Sequence, residues 1–342
     1  MIYGLDVQAA KRHRWPFAAR LQGYLKLPQK RKLLLNPWCW SVFLKEQTLP
    51  TDVKQYLRYS NPRLQELSTR YAELHLFKDS FWTGQAKRID LVNFRGEWNY
   101  LAQLDYRDTV RKYLMTAAYV VALDDQHFLD RLSEDSLFGA ITIKVLDDLV
   151  ISRDLLDSIL EIGFLGRHLN LGPEQNYVCL DIGAGYGRFA HRFTTLFPKS
   201  QVYCVDGVAV STFLCEFYIR FRGFGANAEA VPLYDMSLLS NANIDFATNI
   251  HSWSECTLST VKYWLDLLAD LRVPFLFVVP NWLDEEEMFL TIEPDGSKAS
   301  FLPEIERHGY HLKVMEHKFR NSKLMVKYGI FNAPYVLFEL KA

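Results

Sequence analysis

The stretch Tyr177-Val178-Cys179-Leu180-Asp181-Ile182-Gly183-Ala184-Gly185-Tyr186-Gly187-Arg188 decides how this chain is read. Its first half is a short, almost wholly apolar run of the kind that forms a buried strand. Its second half alternates glycine with small or aromatic residues and then gives way to a helical pattern. A strand that enters a glycine-rich turn and a helix brings backbone N–H groups and a helix N-terminus close to a ligand. The remaining question is which ligand that is.

From Tyr177 onward, strand-like and helix-like segments alternate. The strand candidates are Tyr177–Ile182, Gln201–Val205, Glu229–Leu233, Ile244–Asn249, Pro274–Val279, His311–Glu316 and Val336–Leu340. Between them lie the helix candidates Arg188–Leu196, Ser211–Phe221, Ser254–Leu271 and Pro303–His308. This alternation predicts an α/β fold with a Rossmann-like, doubly wound sheet. The last two strands are separated by Phe319–Pro334, which has no clear helical pattern, so an antiparallel return suits them better than a crossover.

The residues before Tyr177 read differently. Asn61-Pro62 is a helix start, with Asn as N-cap and Pro at the first helical position. Leu64, Leu67, Tyr71 and Leu74 then recur at helical spacing. Residues 100–132 are amphipathic and free of Gly and Pro, and predict one or two further helices. Thr142–Val145 and Leu149–Ile151 flank Asp147-Asp148 as a small hairpin, and Ser152 caps a helix running to about His168. Three blocks are therefore expected: a basic arm over 1–60 of unassigned fold, a mostly helical unit over 61–151, and the sheet domain over 152–342.

Composition narrows the class. The chain has 342 residues, 49% hydrophobic and 23% charged, which are the proportions of an ordinary globular protein. Its net charge of −1 gives no overall pull toward nucleic acid or acidic membrane. Residues 1–70 nevertheless carry thirteen Lys/Arg against four Asp/Glu, a pattern that more often makes a solvated arm than an RNA contact. Five cysteines without a C-x-x-C pair suggest a reducing compartment. No apolar run spans a membrane and no signal-peptide core is present, so a cytoplasmic enzyme is expected.

Two ligand classes use a strand, a glycine turn and a helix in this way. Dinucleotide enzymes want G-x-G-x-x-G, and here the third position of that pattern is Arg188, with Gly187 one residue early. The observed Asp181-x-Gly183-x-Gly185-x-Gly187 resembles instead the loop of class I S-adenosylmethionine methyltransferases, whose sheet has seven strands with an antiparallel final pair. That resemblance implies S-adenosylmethionine as cofactor and S-adenosylhomocysteine as product. Asp181, Gly183, Gly185, Gly187 and Arg188 would form the loop, and Asp206-Gly207 would hold the ribose. Tyr234 would meet the adenine, and Asn249 would line the pocket floor. On the helix that follows, His191 and Arg192 are expected on a solvated face.

The acceptor is read from Asn249-Ile250-His251-Ser252-Trp253-Ser254-Glu255, at the end of the fourth strand. The Asn/Asp-Pro-Pro-aromatic sequence of amino-methylating DNA enzymes is absent, and no cysteine follows a proline as cytosine C5 enzymes require. A hydroxyl acceptor fits better, because it needs in-line positioning and usually a base. His251 is the candidate base. Glu255 either assists it or closes a capping box with Ser252. Trp253 is either a sugar-stacking ring or core.

Taken together, SRDLLDS (Ser152–Ser158), DIGAGYGR (Asp181–Arg188), NIHSWSE (Asn249–Glu255), VPN (Val279–Asn281) and FRG (Phe94–Gly96) resemble the sugar O-methyltransferase family. The resemblance runs from about residue 60 to the end, with Trp253 where another Phe is expected. It implies a sugar or glycoside acceptor and a helical unit that caps the cofactor, with Arg95, Trp98 and Tyr100 at the acceptor and Asp154 either there or simply favouring the N-terminus of its helix. No metal-ligand spacing is evident. Two other outcomes stay open: methylation of a non-sugar natural product, and a non-catalytic S-adenosylmethionine-binding module that contacts RNA or protein.

Overall fold

A computed structural model describes residues 42–43, 48–77, 81–96, 99–100, 109–144, 149–281, 287–319, 330 and 332–341. Most of the basic arm, Trp98, residues 101–108 and the Asp147-Asp148 hairpin tip lie outside these. The chain divides into two compact units. The first comprises residues 1–49, 93–163 and 319–332, and the second residues 50–92, 164–318 and 333–342. The expected helical block is thus distributed, with 61–92 in the second unit and 93–151 in the first.

In chain order, β1 is Val42–Phe43, α1 Thr51–Tyr56, α2 Pro62–Ala72, α3 Phe81–Gln85, α4 Thr109–Leu123 and α5 Phe128–Arg131. A hairpin of β2 (Thr142–Lys144) and β3 (Val150–Ser152) follows, and then α6 (Arg153–His168). Both flanks of the expected hairpin pair antiparallel, with Thr142 opposite Ser152. Ser152 caps α6 as anticipated, its Oγ accepting from Leu155 N at 3.0 Å.

The second unit continues with β4 (Val178–Ile182), α7 (Arg188–Leu196), β5 (Gln201–Val205), α8 (Ala209–Arg222), β6 (Ala228–Ala230) and β7 (Phe246–Ile250). It closes with α9 (Leu258–Asp270), β8 (Phe275–Val279), β9 (Leu290–Ile292), β10 (Lys298–Ser300), α10 (Leu302–Arg307), β11 (Tyr310–His317) and β12 (Pro334–Leu340). Seven of these strands form one sheet in the order β11-β12-β8-β7-β4-β5-β6. The contacts from β6 through β8 are parallel. The last strand, β12, runs antiparallel between β8 and β11. This is the Rossmann-like seven-stranded sheet expected from the sequence, including its reversed final pair. The chain leaves β4 toward β5 on one side and β7 lies on the other, so the crevice of an open α/β sheet falls at the C-terminal ends of β4 and β7.

Residues 50–92 belong to the same unit as the sheet. Asn61 caps α2 by accepting from Arg63 N at 2.9 Å, and Leu64, Leu67 and Tyr71 are its buried face. Tyr56 stacks on Phe213 and Phe217 of α8, with centroids 5.4 and 5.6 Å apart. The Tyr71 hydroxyl lies 2.9 Å from Thr212 Oγ1 and accepts from Leu233 N at 3.1 Å. Burial pushes its phenol well above the ordinary value. Tyr71→Phe strands the Leu233 N–H in the interior, and chemical denaturation should show a loss of about 1–3 kcal/mol.

One local expectation is corrected and one element is new. The α7 face of His191 and Arg192 is not solvated: Arg192 is buried, and the His191 ring stacks on Phe224 at 5.2 Å. The β9–β10 hairpin was not anticipated, although Pro294-Asp295-Gly296-Ser297 is a turn signal. Asp295 Oδ1 accepts from Ser297 N at 2.9 Å, and Gly296 adopts φ +82°.

Candidate active site

The glycine turn after β4 is left-handed at three points, with φ +75° at Gly183, +58° at Gly185 and +87° at Gly187. Side chains disfavour this region, so alternating glycine is what lets the chain turn so tightly. At Gly183 space is excluded as well, since an added Cβ would lie 2.1 Å from Ser252 Oγ. Gly183 N and Ala184 N donate to Val205 O at 2.8 and 3.1 Å, which ties the turn to the end of β5. Asp181, one residue inside the strand, is buried and accepts from Thr248 Oγ1 of β7 at 2.7 Å. Gly187 is the N-cap of α7, and the half-buried Arg188 opens that helix.

Asp206 closes the other side of the turn. One carboxylate oxygen accepts from Gly185 N at 2.9 Å and the other from Val208 N at 2.8 Å. Burial raises its pKa to about 7, against the pull of those two N–H groups. A carboxylate oxygen can accept more than one hydrogen bond, so both retain acceptor capacity for ligand hydroxyls. Gly207 follows, and a Cβ there would meet the Phe77 ring at 2.9 Å. Tyr234, beyond β6, is half-buried, with the Arg70 guanidinium 3.2 Å above its ring centroid. Its hydroxyl accepts from Arg63 Nη1 at 3.1 Å.

The end of β7 is stitched by Asn249. Its Nδ2 donates to Ile182 O at 2.9 Å and Ser252 Oγ at 2.6 Å, and its Oδ1 accepts from Trp253 N at 3.1 Å. Its amide therefore fixes the floor of the turn. His251 turns the chain with φ +72°, and its N–H donates to Val279 O at 2.7 Å. Trp253 is 1% exposed and packs edge-on against Phe301, so its ring is core and its faces are not presented to a ligand.

Glu255 does not close a capping box with Ser252. The following helix is capped by Thr257, whose Oγ1 accepts from Thr260 N at 3.3 Å. The Glu255 carboxylate accepts instead from Asn281 Nδ2 at 2.7 Å and from Trp82 Nε1. Burial raises its pKa to about 7, with both donors pulling the other way. Sequence reasoning missed Trp82 altogether. Only its tertiary contact marks it.

In the first unit, Arg95 is 2% exposed and all three of its nitrogens are engaged. Nε donates to Asp154 at 3.1 Å, Nη1 to Asp135 at 3.1 Å and Nη2 to Glu134 at 2.7 Å. The Ser152 hydroxyl donates to the other oxygen of Glu134. Arg95 and Asp154 thus satisfy each other within an internal ion-pair network, in which Arg95 is held by three carboxylates. Tyr100 is half-buried. Among the described residues, no group of three or more His, Cys, Asp and Glu is placed to hold a metal ion. No described helix is long and apolar enough to cross a membrane.

No family model matches the chain, and no curated protein matches it. Solved structures similar to it include M. capricolum TrmK in complex with S-adenosyl-homocysteine, at 11% identity and TM-score 0.32. That alignment covers 49% of this chain and 64% of TrmK, so the chain spans less than two thirds of that relative. A SAM dependent methyltransferase from Aquifex aeolicus aligns at 16% identity over 50% of this chain and 85% of its own, with TM-score 0.35. The PH0226 protein from Pyrococcus horikoshii OT3 aligns at 11% identity over 56% and 92%, with TM-score 0.38.

Proposed function

We propose that this chain is an S-adenosylmethionine-dependent O-methyltransferase that acts on a hydroxyl of a sugar or glycosylated small molecule. One observation carries the reading: a triply left-handed glycine turn at the end of β4 meets a buried carboxylate at the end of β5. The fit to the cofactor rests on the same residues. The turn exposes backbone where a side chain at Gly183 would collide, and Asp206 retains lone pairs for two adjacent hydroxyls. The sheet order, with its reversed last strand, is the one this cofactor class uses.

When bound, S-adenosylmethionine supplies an electrophilic methyl group for the acceptor oxygen. Gly183, Gly185 and Gly187 hold its amino-acid end, Asp206 its ribose, and Tyr234 flanks its base. Two groups after β7, His251 and Glu255, can take the hydroxyl proton. The methyl-donor half of the reading is supported by geometry, and the sugar half by the sequence resemblance.

Isothermal calorimetry tests the cofactor. S-adenosylhomocysteine should bind and NAD should not, and NAD binding without S-adenosylhomocysteine binding overturns the reading. An acceptor screen with intact-mass readout then separates sugars from other hydroxyl compounds. Retention of full turnover and an unchanged pH profile in His251→Gln removes His251 from the proton-accepting role.

A further inference from the structure

The ends of two sheet strands and a segment that precedes the sheet meet at one carboxylate. Glu255 lies in the short turn Ser252–Glu255 that follows β7. Asn281 stands two residues beyond the end of β8. Trp82 comes from α3, nearly two hundred residues upstream of Asn281 in the chain, and the same second unit holds all three. Each carboxylate oxygen takes one neutral N–H, from Asn281 Nδ2 at 2.7 Å and from the Trp82 indole. Two donors from different elements fix both the position and the plane of a carboxylate, and they leave each oxygen a further lone pair.

We propose that Trp82 and Asn281 are positioning residues that clamp Glu255 as the proton acceptor for the acceptor hydroxyl. This rests on the methyltransferase reading above. The acceptor oxygen would form a bond to the methyl carbon of S-adenosylmethionine while that carbon's bond to sulfur breaks, the electron pair staying on sulfur so that neutral S-adenosylhomocysteine leaves, and the acceptor's O–H bond breaks. The proton adds to a Glu255 oxygen and passes to water after the product leaves. No oxidant or reductant is needed.

The surroundings suit that task. Burial raises the carboxylate to about 7, while the two N–H donors favour its ionised form. A base poised near the working pH combines availability with driving force. Among the described residues, the charges of Glu255 and Asp206 both act on Cys256, whose thiol burial pushes up; His251 lies at the start of the same turn and Glu293 beyond β9. Glu293 accepts from Leu258 N at 2.8 Å and Thr291 Oγ1 at 2.7 Å. The segment Phe81–Gln85 brings no titratable side chain. Asp284, Glu285 and Glu286 follow Asn281 in sequence and lie outside the described residues.

The indole N–H of Trp82 reports on Glu255 directly, so the test needs no acceptor. In nitrogen-15-labelled full-length protein, the indole signal absent from Trp82→Phe should move between pH 5 and pH 9 with a midpoint near 7. The movement should vanish in Glu255→Gln. In Asn281→Ala, with one donor to the ionised form removed, the midpoint should rise by about one pH unit. A Trp82 signal that is flat over this range, or that still titrates in Glu255→Gln, overturns the proposal. S-adenosylhomocysteine calorimetry on the same samples keeps the two ideas apart. Failure to bind in wild type defeats the methyltransferase reading, whereas a flat indole signal beside intact binding defeats only the clamp.

Discussion

Asp206→Asn should weaken S-adenosylhomocysteine binding at least about a hundredfold and at the same time raise the melting temperature at pH 8. Both effects come from one carboxylate. Under the proposed reading, Asp206 receives two ribose hydroxyls, and an amide can accept on one atom only. Because Gly185 N binds one oxygen and Val208 N the other, its Nδ2 would face one of these two N–H donors and could no longer accept from the hydroxyl on that side. Losing one charge-assisted bond and leaving one donor opposed costs about 3 kcal/mol of binding, or more than two decades in affinity.

The stability change has the opposite sign. Burial raises Asp206 from 3.8 to about 7, so the folded state holds its proton more tightly than the unfolded chain does. The stability associated with this group is therefore complete below about pH 4 and falls as pH rises toward 7. At pH 8 the buried charge costs on the order of 4 kcal/mol, at about 1.4 kcal/mol per pKa unit. The asparagine removes that cost and gives back roughly 2 kcal/mol through the opposed N–H. A net gain of about 2 kcal/mol is expected at pH 8, disappearing near pH 5. Cofactor affinity of the wild type should rise with pH through about 7, because the ionised form is the better acceptor, and Asp206→Asn should lose that dependence. Thermal unfolding and calorimetry across pH 5–8 measure both. A destabilised Asp206→Asn at pH 8 would mean that the carboxylate is a structural tie and not a site group.

The sheet was legible because its signals are local. Apolar runs, glycine punctuation and helix-length spacers specify strand, turn and helix without knowledge of the partners, and six of the seven strands lie within two residues of these runs; β6, at Ala228–Ala230, shares only Glu229 and Ala230 with the strand expected at Glu229–Leu233, because Leu233 opens a short helical turn instead. The turn glycines were legible for the same reason, since their spacing reflects backbone geometry. Side-chain roles were not. Arg95 in FRG reads from its neighbours as a charge for the acceptor, and nothing local announces that Glu134 and Asp135, some forty residues on, and Asp154 bind it. Trp253 reads as a stacking ring until Phe301 covers it. Ser252-x-x-Glu255 matches a capping box in spacing, but Trp82 and Asn281 take the carboxylate first. In each case a long-range contact outcompetes a local rule, and nothing at i±4 announces it.

Gly183→Ala should destabilise the protein by about 3 kcal/mol and remove S-adenosylhomocysteine binding, whereas Gly223→Ala should cost only about 1 kcal/mol. Both glycines have φ +75°, so backbone strain is common to the pair and contributes about 1 kcal/mol in each. They differ in surroundings. An added Cβ at Gly223, which ends α8, meets nothing within 4 Å, while at Gly183 it lies 2.5 Å from Ser252 Cβ and 2.1 Å from its Oγ. Ser252 has little room to retreat, because its Oγ accepts from Asn249 Nδ2 at 2.6 Å and Asn249 is itself bonded to Ile182 O and Trp253 N. Relief of the overlap must therefore displace the turn or break that stitch, at about 2 kcal/mol. The double variant Gly183→Ala/Ser252→Gly, set against Ser252→Gly alone, separates the parts, because both lack the Asn249–Ser252 bond. In the Ser252→Gly background Gly183→Ala should cost only the backbone share, close to the cost of Gly223→Ala. Urea denaturation of the wild type, the three single variants and the double variant reads the difference. Equal losses at Gly183 and Gly223, or no recovery in the double variant, would show that Ser252 does not form the wall against which this turn is built.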